Sequence, residues 1–290
     1  MSTAIQKRDD SKVVLITGCS SGIGKATALR LAAAGHTVYA TARKPAAIAE
    51  LADKGCHLLA LDVCDAASMH AAVAHIEAQH GAVEVLVNNA GYSQSGAIEA
   101  VPIERVRAQF ETNVFGVVQL TQRVLPAMRQ RRRGRIINLS SMGGRLVFPG
   151  GGYYHATKYA IEAISDALRF ELRGFGIQVV LIEPGLIRTN FGEAASGSIA
   201  APASATDSAY AGFHTAVAKA TTESYEKGPL ARLAGEADDV ARAIEKAITT
   251  ARPRARYSVS ASAKLLLAQR ALFSDRLWDA FLRSSFPSPA

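Results

Sequence analysis

Short apolar runs alternate with longer segments of helical periodicity along most of the chain. The runs are apolar at consecutive positions and rich in β-branched residues, which is typical of strands buried on both faces of a parallel sheet. Six runs are predicted as strands, at residues 12–17, 36–41, 56–61, 83–88, 135–140 and 177–183. A weaker seventh strand is predicted at residues 256–260. The amphipathic segments between them are predicted as helices: Gly22–Ala34, Ala66–Gln79, Ile103–Arg129, Tyr154–Gly174 and Glu236–Thr250. This alternation predicts an α/β fold with one doubly wound, seven-stranded parallel sheet and helices on both faces.

Two regions depart from the alternation. Residues 191–233 are rich in Ala, Ser, Thr and Gly, show no clear strand and follow the sixth strand directly. They are predicted to form a substrate lid of loop with some helix. Residues 261–290 have apolar side chains at near-helical spacing and predict a C-terminal helical extension. This extension could pack on the body or on a partner subunit, line the substrate mouth, or touch a membrane surface. We therefore predict a polar N-terminal extension at residues 1–11 and a single domain over residues 12–290.

Composition narrows the classes of protein that fit. The chain has 290 residues, and 49% of them are hydrophobic, which indicates a globular protein rather than a disordered or fibrous one. It has no uninterrupted run of about eighteen apolar residues and no apolar signal core at its polar N-terminus, so we predict neither a membrane span nor export. Cys19, Cys56 and Cys64 are odd in number and lack metal-ligand spacing. We expect a reduced, cytoplasmic protein with no metal site.

The formal net charge is +8, and part of it lies in Arg129–Arg135, between a predicted helix and a predicted strand. Cations are favoured at the C-terminus of a helix, so a solvated helix end explains this cluster. Binding of nucleic acid would also need interleaved aromatic residues or a reading helix, and the sequence has neither. We therefore expect no nucleic-acid partner, while an anionic ligand stays open for part of the positive charge.

The turn after the first strand has the chemistry of a phosphate site. It reads TGCSSGIG from Thr17 to Gly24 and leads directly into a predicted helix. Gly18, Gly22 and Gly24 leave the backbone free of side chains, and the free N–H groups at a helix N-terminus favour a phosphate. Ligands of open parallel sheets bind beyond the carboxyl ends of the strands, where this turn lies. The turn therefore predicts that the protein binds a dinucleotide.

The end of the second strand bears on the choice of cofactor. Folds that bind NAD usually have an acid there, which bonds the ribose hydroxyls of the adenosine. Here Ala42 stands in that place and Arg43 follows, so a guanidinium is available for a 2′-phosphate. We predict that NADP(H) is preferred and that NAD(H) stays possible; the alternative is an arginine in solvent. Asp62, after the third strand, could accept from the adenine amino group or could cap a turn or helix.

The remaining strand ends carry Gly or polar residues on the same rim. NNAG follows the fourth strand at Asn88–Gly91, Ser140 and Ser141 follow the fifth, and Pro184 and Gly185 follow the sixth. Because the carboxyl ends of parallel strands meet at one edge, these residues are predicted to face a common site.

Two adjacent tyrosines lie at the start of the helix predicted over residues 154–174. Tyr154 and Lys158 are four residues apart and share a helical face, whereas Tyr153 has Thr157 at that offset. The spacing favours Tyr154 for chemistry, because a nearby ammonium favours the ionised phenol. His155 points about 100° away from Tyr154 around the helix and is interpreted as structural.

In order and spacing, the motifs TGCSSGIG, NNAG, NLSS, YHATK and EPG resemble the short-chain dehydrogenase/reductase family, over roughly residues 12–190. The surroundings of GCSSGIG, YATAR and EPGLIRTNF are similar to the branch that contains 17β-hydroxysteroid and retinol dehydrogenases. The resemblance implies a single-domain Rossmann fold and an enzyme that acts on CH–OH donors with NAD(P). It also implies a homodimer or homotetramer, paired through the helices predicted over 103–129 and 154–174.

The resemblance places a catalytic tetrad on Asn113, Ser141, Tyr154 and Lys158. It implies that Tyr154 exchanges a proton with the substrate oxygen and that Ser141 donates to that oxygen. Lys158, together with the positive oxidised nicotinamide, would lower the pKa of Tyr154 and would bond the nicotinamide ribose, and Asn113 would hold a water. From the residues and the resemblance together, the expected cofactor contacts are Thr17, Gly18, Ser20, Ser21, Gly22, Ile23, Gly24, Arg43, Asp62, Val63, Asn89, Ala90, Gly91, Tyr154, Lys158, Pro184, Gly185, Ile187 and Thr189. Some NADP-preferring members have a basic residue where Ser20 and Ser21 stand, so Arg43 carries the preference nearly alone.

The substrate pocket is expected to be largely apolar and to be formed by Gly143, Val147, Phe148, Leu186 and Phe191. Such a pocket favours a small hydrophobic substrate. We therefore predict hydride transfer between NADP(H) and a lipophilic secondary alcohol or ketone, such as a steroid or a retinoid. A non-catalytic dinucleotide sensor or scaffold on the same fold is an alternative, as is an epimerase or dehydratase. No integral membrane association is expected, and peripheral contact is left open.

Overall fold

Seven parallel strands form the main sheet of the protein, whose computed structural model describes residues 11–199 and 209–286. The strands are β1 (Val13–Ile16), β2 (Thr37–Ala42), β3 (His57–Ala60), β4 (Val85–Asn88), β5 (Gly134–Leu139), β6 (Ile177–Pro184) and, after two short strands given below, β9 (Arg256–Val259). Their order is β3-β2-β1-β4-β5-β6-β9, which confirms the predicted doubly wound sheet. Every predicted strand is present, and no end differs by more than two residues. The parts of the predicted extension, lid and tail at residues 1–10, 200–208 and 287–290 lie outside the described residues.

Eleven helices are described in the same part of the chain. They are α1 (Gly22–Ala33), α2 (Ala66–His80), α3 (Ile103–Phe110), α4 (Gly116–Gln130), α5 (Gly152–Glu171), α6 (Phe191–Gly197), α7 (Ala211–Glu226), α8 (Gly228–Ala231), α9 (Ala237–Thr249), α10 (Ala261–Leu272) and α11 (Asp275–Ser285). Short 3₁₀ segments lie at Pro45–Lys54, Met142–Gly144 and Arg173–Phe175. None of these helices is long and apolar enough to cross a membrane.

Helices cover both faces of the sheet. Successive strand residues point to opposite sides, so the apolar strands present side chains for packing on both faces. Val14 and Ile16 pack with α1 and α9 in one apolar cluster, whereas Leu15 packs with α2 and α4 in a second one. Ile161 of α5 packs against Leu181 of β6 on the face that α4 also covers. Two apolar layers therefore hold the sheet rigid, and its carboxyl edge is left to carry polar residues.

A buried polar ladder joins the sheet to two helices beneath this edge. Asn88 and Asn138 are register partners on β4 and β5, and the amide of Asn88 donates to the Asn138 oxygen at 2.8 Å. The Asn88 amide also donates to Thr121 of α4 at 3.1 Å, and the Asn138 amide donates to Ser165 of α5 at 2.8 Å. Buried polar groups of this kind are costly unless they are paired, so the ladder restricts the relative positions of β4, β5, α4 and α5.

The helix predicted over residues 103–129 is interrupted by a π-helical turn at Glu111–Phe115, between α3 and α4. A π turn holds one more residue than an α turn, so apolar periodicity alone cannot reveal it. Directly after it, Gly116 lies against the backbone of Val63, where an added Cβ would be 2.5 Å from the Val63 oxygen. The turn therefore brings the start of α4 into close contact with the end of β3.

The lid is more helical than the sequence predicts. Its described part contains α6, α7 and α8, whose Ala-rich segments have high helix propensity but weak apolar periodicity. Two short strands, β7 (Ile187–Arg188) and β8 (Gly235–Glu236), pair in parallel at its two ends. This small sheet, which the sequence does not predict, anchors both ends of the lid to the body.

The predicted C-terminal extension consists of two helices that pack on the body of the domain. Ser260 caps α10 by accepting from the Ala263 N–H, and Ser274 caps α11 by accepting from the Leu277 N–H. Leu266 and Trp278 are buried in an apolar cluster that includes Leu186. The structure therefore supports two of the alternatives for this segment: it packs on the body, and Leu266, Phe281 and Phe286 line a cavity at the carboxyl edge of the sheet.

Arginines of the Arg129–Arg135 cluster bond neighbouring segments rather than standing alone in solvent. Arg131 donates to the carbonyl of His80 at 2.6 Å and Arg132 to that of Gly174 at 2.8 Å. Arg133 forms an ion pair with Glu84, and Arg135 donates to the carbonyl of Thr250 at 3.1 Å. The cluster thus ties the end of α4 and the start of β5 to four other segments.

Arg256 of β9 neutralises three carboxylates at the edge of the sheet. Its guanidinium lies 2.9 Å from Glu162, 2.7 Å from Asp166 and 3.2 Å from Glu183. Glu183 is fully buried, and it also accepts from the Ser258 hydroxyl at 2.7 Å. Without Arg256, two carboxylates in or near the core would lose their nearest positive charge.

We expect Arg256→Leu to lower the free energy of unfolding by about 3–5 kcal/mol, because it leaves buried carboxylates unpaired. Lys25→Met is the control, since it removes the 2.8 Å ion pair with Glu50 between half-exposed side chains and should cost less than about 1 kcal/mol. Urea unfolding of both variants measures the difference. Equal losses would show that the buried cluster contributes no more than a surface pair.

Candidate active site

A cavity of about 870 Å³ opens at the carboxyl edge of the sheet. The ends of β1 to β6, the start of α5, the lid and the C-terminal helices all contribute to its wall. Most of the predicted cofactor contacts line it: Gly18, Ser20, Ser21, Gly22, Ile23, Arg43, Asp62, Val63, Asn89, Ala90, Gly91, Tyr154, Lys158, Pro184, Gly185, Ile187 and Thr189. The strand ends therefore converge on one site, as the sequence predicts.

Thr17 and Gly24 lie behind the wall and hold the glycine turn in shape. The Thr17 hydroxyl accepts from the N–H groups of Asn89 and Ala90 at 3.0 and 2.9 Å, which joins the ends of β1 and β4. The Asn89 amide donates back to the carbonyls of Thr17 and Gly18. A Cβ on Gly24 would lie 2.3 Å from the Gly18 oxygen, so only glycine fits there.

The glycine turn suits an anionic group. Gly18 has a φ of 73°, and an added Cβ would lie 3.0 Å from the Ala90 Cα. Ser21 is the N-cap of α1, but its side chain makes no capping hydrogen bond, and no acidic residue occupies the first turn. The N–H groups at this helix terminus are therefore available to a phosphate, which fits a dinucleotide.

Arg43 and Asp62 lie at the adenosine-side rim that the sequence predicts. Arg43 is exposed and lines the cavity beside buried Ala42. Asp62 also lines it, while its carboxylate accepts from the Cys64 N–H at 2.9 Å in a local turn. The cap of α2 is Asp65, which accepts from the Ala67 N–H at 2.8 Å. Asp62 therefore shapes the turn and faces the cavity, and it is not the helix cap.

Tyr154 and Ser141 both line the cavity. Burial raises the pKa of the Tyr154 phenol above its ordinary value, and a hydrogen bond with Ser141 opposes part of that rise. Tyr225 of α7, which also lines the cavity, raises the pKa of Tyr154 further. The residues of this chain thus keep Tyr154 protonated, because desolvation by burial has the largest effect on its pKa. The lowered pKa expected from the sequence also requires the positive charge of the oxidised nicotinamide, so it stays a prediction.

Lys158 is buried with its ammonium against the end of β5. Its Nζ donates to the carbonyl of Leu139 at 2.6 Å and lies 5.8 Å from the centre of the Tyr154 ring. Burial lowers the pKa of Lys158 to about 8, and the negative charge of Glu162, one turn further along α5, partly opposes this. An ammonium has three donors, so Lys158 can bond Leu139 and still offer hydrogens to the cavity that it lines.

Asn113 lies in the π turn and does not line the cavity. Its side chain accepts from the Tyr92 N–H at 3.1 Å and donates to the Tyr92 carbonyl at 2.9 Å and to Thr157 of α5 at 3.1 Å. An added Cβ on Gly91 would lie 3.1 Å from the Asn113 oxygen and 3.9 Å from the Lys158 Nζ. Asn113 and Lys158 therefore both lie close to Gly91, and the Asn113 amide is engaged by the Tyr92 backbone and by Thr157.

The outer part of the cavity is largely apolar. Gly143, Phe148, Leu186 and Phe191 line it as predicted, whereas Val147 is 43% exposed and is not part of the wall. Side chains that the sequence analysis does not assign also line it: Cys64, Tyr92, Ser93, Ser95, Thr112, Val217, Tyr225, Leu230, Leu266, Phe281 and Phe286. Leu266, Phe281 and Phe286 belong to the C-terminal extension, for which lining the substrate mouth was one of the alternatives. The apolar spacing of that segment is the sequence signal for these three residues.

Few charged side chains line the cavity. Among the described residues of the wall, only Arg43, Asp62 and Lys158 are Asp, Glu, Lys or Arg. In the same part of the chain, no three His, Cys, Asp or Glu side chains are grouped so that they could hold a metal ion. The wall therefore offers polar chemistry near the strand ends and apolar surface beyond them.

A sequence profile of the family described as short chain dehydrogenase matches residues 12–198. The chain belongs to the short-chain dehydrogenase/reductase family. It is accordingly an NAD(P)-dependent oxidoreductase. The resemblance of the five motifs is thus confirmed at the level of the family, while the assignment to a branch stays a prediction.

Two curated relatives and one solved structure illustrate the range of similar proteins. The 3-ketodihydrosphingosine reductase of Bacteroides thetaiotaomicron is 46% identical over 62% of this chain and 65% of its own length. The NADPH-dependent 3-dehydrocapnine reductase of Ornithobacterium rhinotracheale is 37% identical over 92% of this chain and 95% of its own. A Burkholderia phymatum family member in complex with NAD superimposes with a TM-score of 0.76, at 25% identity and 97% coverage of both chains. The family fold thus extends over nearly the whole sequence.

Lys158→Met is expected to stabilise this family member against unfolding at pH 7, by on the order of 2 kcal/mol, because it removes a buried ammonium. The pKa of Lys158 falls from 10.5 when exposed to about 8 when folded, so the unfolded chain binds the additional proton between these values. Wild-type stability should therefore rise relative to the variant as the pH increases from 8 to 10.5. Urea unfolding without added nucleotide, at several pH values, measures the difference in free energy of unfolding between wild type and variant. Lys264→Met is the control, because Lys264 is exposed. An equal difference for Lys264→Met would contradict the view that burial of the Lys158 ammonium destabilises the fold.

Proposed function

We propose that the protein transfers hydride between NADP(H) and the carbinol or carbonyl carbon of a lipophilic secondary alcohol or ketone. The observation that carries this proposal is one cavity whose wall contains both Tyr154 and Ser141, together with a turn that suits a phosphate and an apolar surface. The three parts come from separate segments of the chain and meet only through the fold.

The inner part of the cavity holds the cofactor in this proposal. The N-terminus of α1 binds the pyrophosphate, Asp62 faces the adenine, and Arg43 pairs with the 2′-phosphate of NADP(H). The name of the Ornithobacterium relative states dependence on NADPH, whereas the Burkholderia structure contains NAD. Arg43, with no acidic residue beside it on β2, favours NADP(H) in this chain. When bound, the nicotinamide supplies or accepts the hydride.

The protein supplies the proton and the orientation. Tyr154 donates its proton to the developing alkoxide during reduction, and takes it back during oxidation. Ser141 bonds the same substrate oxygen and fixes it next to the phenol. Lys158 offers its remaining donors to the ribose of the cofactor, and its positive charge favours the phenolate. Asn113 holds the loop at Gly91 and Tyr92 against α5, and so keeps Lys158 in place.

The outer part of the cavity supports a hydrophobic substrate. It is lined by Phe148, Leu186 and Phe191, by the aromatic residues Phe281 and Phe286 of the tail, and by Tyr225 of the lid. Both curated relatives described above are named as reductases, one of them of a keto compound, which favours reduction as the direction. A dimer or tetramer is proposed through α4 and α5, since Phe115, directly before α4, and Phe170 of α5 are 50% and 81% exposed.

The function is tested with a panel of hydrophobic ketones, by following absorbance at the nicotinamide band with NADPH and with NADH. The expected result is oxidation of NADPH that depends on the ketone and is faster than with NADH. A chain that binds NADPH but turns over no ketone or alcohol would support the sensor or scaffold alternative, and a product isomeric with its substrate would point to an epimerase.

Tyr154→Phe is expected to lower kcat by about 10²–10⁴-fold, because the proton donor is lost while the ring remains. Its dissociation constant for NADPH should change little. Tyr153→Phe is a matched control on the next residue, since that hydroxyl donates to the Ile98 carbonyl at 3.1 Å outside the cavity. Steady-state kinetics compare the two, and similar losses in both would exclude the assignment of Tyr154.

Arg43→Ala is expected to raise the dissociation constant for NADPH by about 10–100-fold, the worth of one or two charge-assisted hydrogen bonds, and to leave that for NADH nearly unchanged. Lys44→Ala is the control, because Lys44 is also exposed but does not line the cavity. Nucleotide fluorescence titration measures both. If Arg43→Ala weakens neither nucleotide, the preference for NADP(H) does not come from this residue.

A further inference from the structure

We propose that His155 is a positioning residue, whose two ring nitrogens hold the wall loop (residues 143–148) against the start of α5 and so fix both Ser141 and the substrate wall. This inference rests on the proposed function, since the loop borders the same cavity. From its position in the sequence, His155 is expected to be only structural, because it points away from Tyr154 around the helix.

Both ring nitrogens of His155 bond backbone groups of the wall loop. Nδ1 lies 3.0 Å from the Gly143 carbonyl oxygen, and the Phe148 N–H donates to Nε2 at 3.2 Å. A backbone N–H can only donate, so Nε2 must be unprotonated, and Nδ1 then carries the hydrogen that Gly143 accepts. One neutral tautomer thus satisfies both contacts. Burial supports it, since it lowers the pKa of His155 to about 4.

The two bonds connect His155 to the reacting groups and to the substrate wall. On one side, the Gly143 N–H donates to the Ser141 hydroxyl at 3.0 Å, so the position of Gly143 fixes the hydroxyl that lines the cavity together with Tyr154. On the other side, the Phe148 ring packs against Trp278 of α11, with ring centres 6.1 Å apart. A single imidazole therefore links the serine loop to the C-terminal helices.

Two glycines lie close against the ring. An added Cβ on Gly143 would lie 2.4 Å from its Nδ1, and one on Gly151 would lie 2.8 Å from its Nε2. Because backbone encloses the ring on both sides and occupies both nitrogens, His155 has no free nitrogen with which to transfer a proton. Its contribution to the reaction is therefore through Ser141 and Phe148.

The test compares variants that differ in hydrogen bonding at position 155. His155→Leu removes the donor and the acceptor at similar volume, whereas His155→Gln keeps one of each on an amide. His155→Asn has the same groups on a shorter side chain and cannot reach both partners. Tyr153→Phe is the matched control, since it removes a hydrogen bond of the same helical turn without touching the wall loop.

Two readouts are used, one of which does not need activity. We expect kcat/KM for a hydrophobic ketone to fall about tenfold in His155→Leu, with the NADPH dissociation constant unchanged, and to be largely retained in His155→Gln. Trp278 is the single tryptophan of the chain and contacts Phe148, so its fluorescence reports on the loop directly. Its emission should shift to the red and be quenched more strongly by acrylamide in His155→Leu, but not in His155→Gln or Tyr153→Phe.

The proposal is overturned if His155→Leu leaves both kcat/KM and Trp278 emission unchanged, or if the Gln and Leu variants lose activity equally. Should His155→Leu not fold, the Gln and Asn variants decide, and equal behaviour of these two also overturns it. If the wild-type protein reduces no ketone, the proposed function fails. The Trp278 comparison then still tests the link between His155 and the wall loop.

Discussion

The pairing of Asn88 with Asn138 is the interaction on which the site depends. Asn88 is the last residue of β4 and Asn138 the last but one of β5, and through Thr121 and Ser165 the pair reaches α4, which follows Asn113, and α5, which carries Lys158. A slip of one residue between the strands would turn one of the amides to the wrong face and leave the other without its partner. The ladder therefore selects the register that places the Leu139 carbonyl under the Lys158 ammonium.

Without a bound ligand, the protein itself disfavours the charged forms of Tyr154 and Lys158 in the cavity. Burial raises the pKa of Tyr154 and lowers that of Lys158, so both groups move towards their neutral forms. A more acidic phenol requires a further positive charge beside it, and the described residues of the wall provide only Lys158 there. The pKa of Tyr154 therefore depends on whether a positively charged group occupies the cavity beside it. An acid of this kind stays protonated until that group is bound.

Much of the fold and of the site could be predicted because its signals are local. Buried strands, the glycine turn and the spacing of Tyr154 and Lys158 are each contained in a few consecutive residues. The lid helices were underestimated because Ala-rich segments lack apolar periodicity, and the pairing of β7 with β8 depends on residues nearly fifty positions apart. Val147 and Phe148 are neighbours in sequence, yet only Phe148 is turned into the cavity by its bond with His155. The rise that burial causes in the pKa of Tyr154 was also beyond the sequence, since it depends on how the chain packs.

The π turn at Glu111–Phe115 has a consequence for how this part of the chain can change. One additional residue in a helix rotates everything on one side of it by about 100° relative to the other side. α3 and α4 can therefore face different neighbours although the chain runs through them without a loop, and Asn113 lies at the point where the two orientations meet. Loss of a single residue here would restore a regular helix but turn either Asn113 or Thr121 away from its hydrogen-bond partners. This segment is consequently far less tolerant of length changes than the lid, although both border the same cavity.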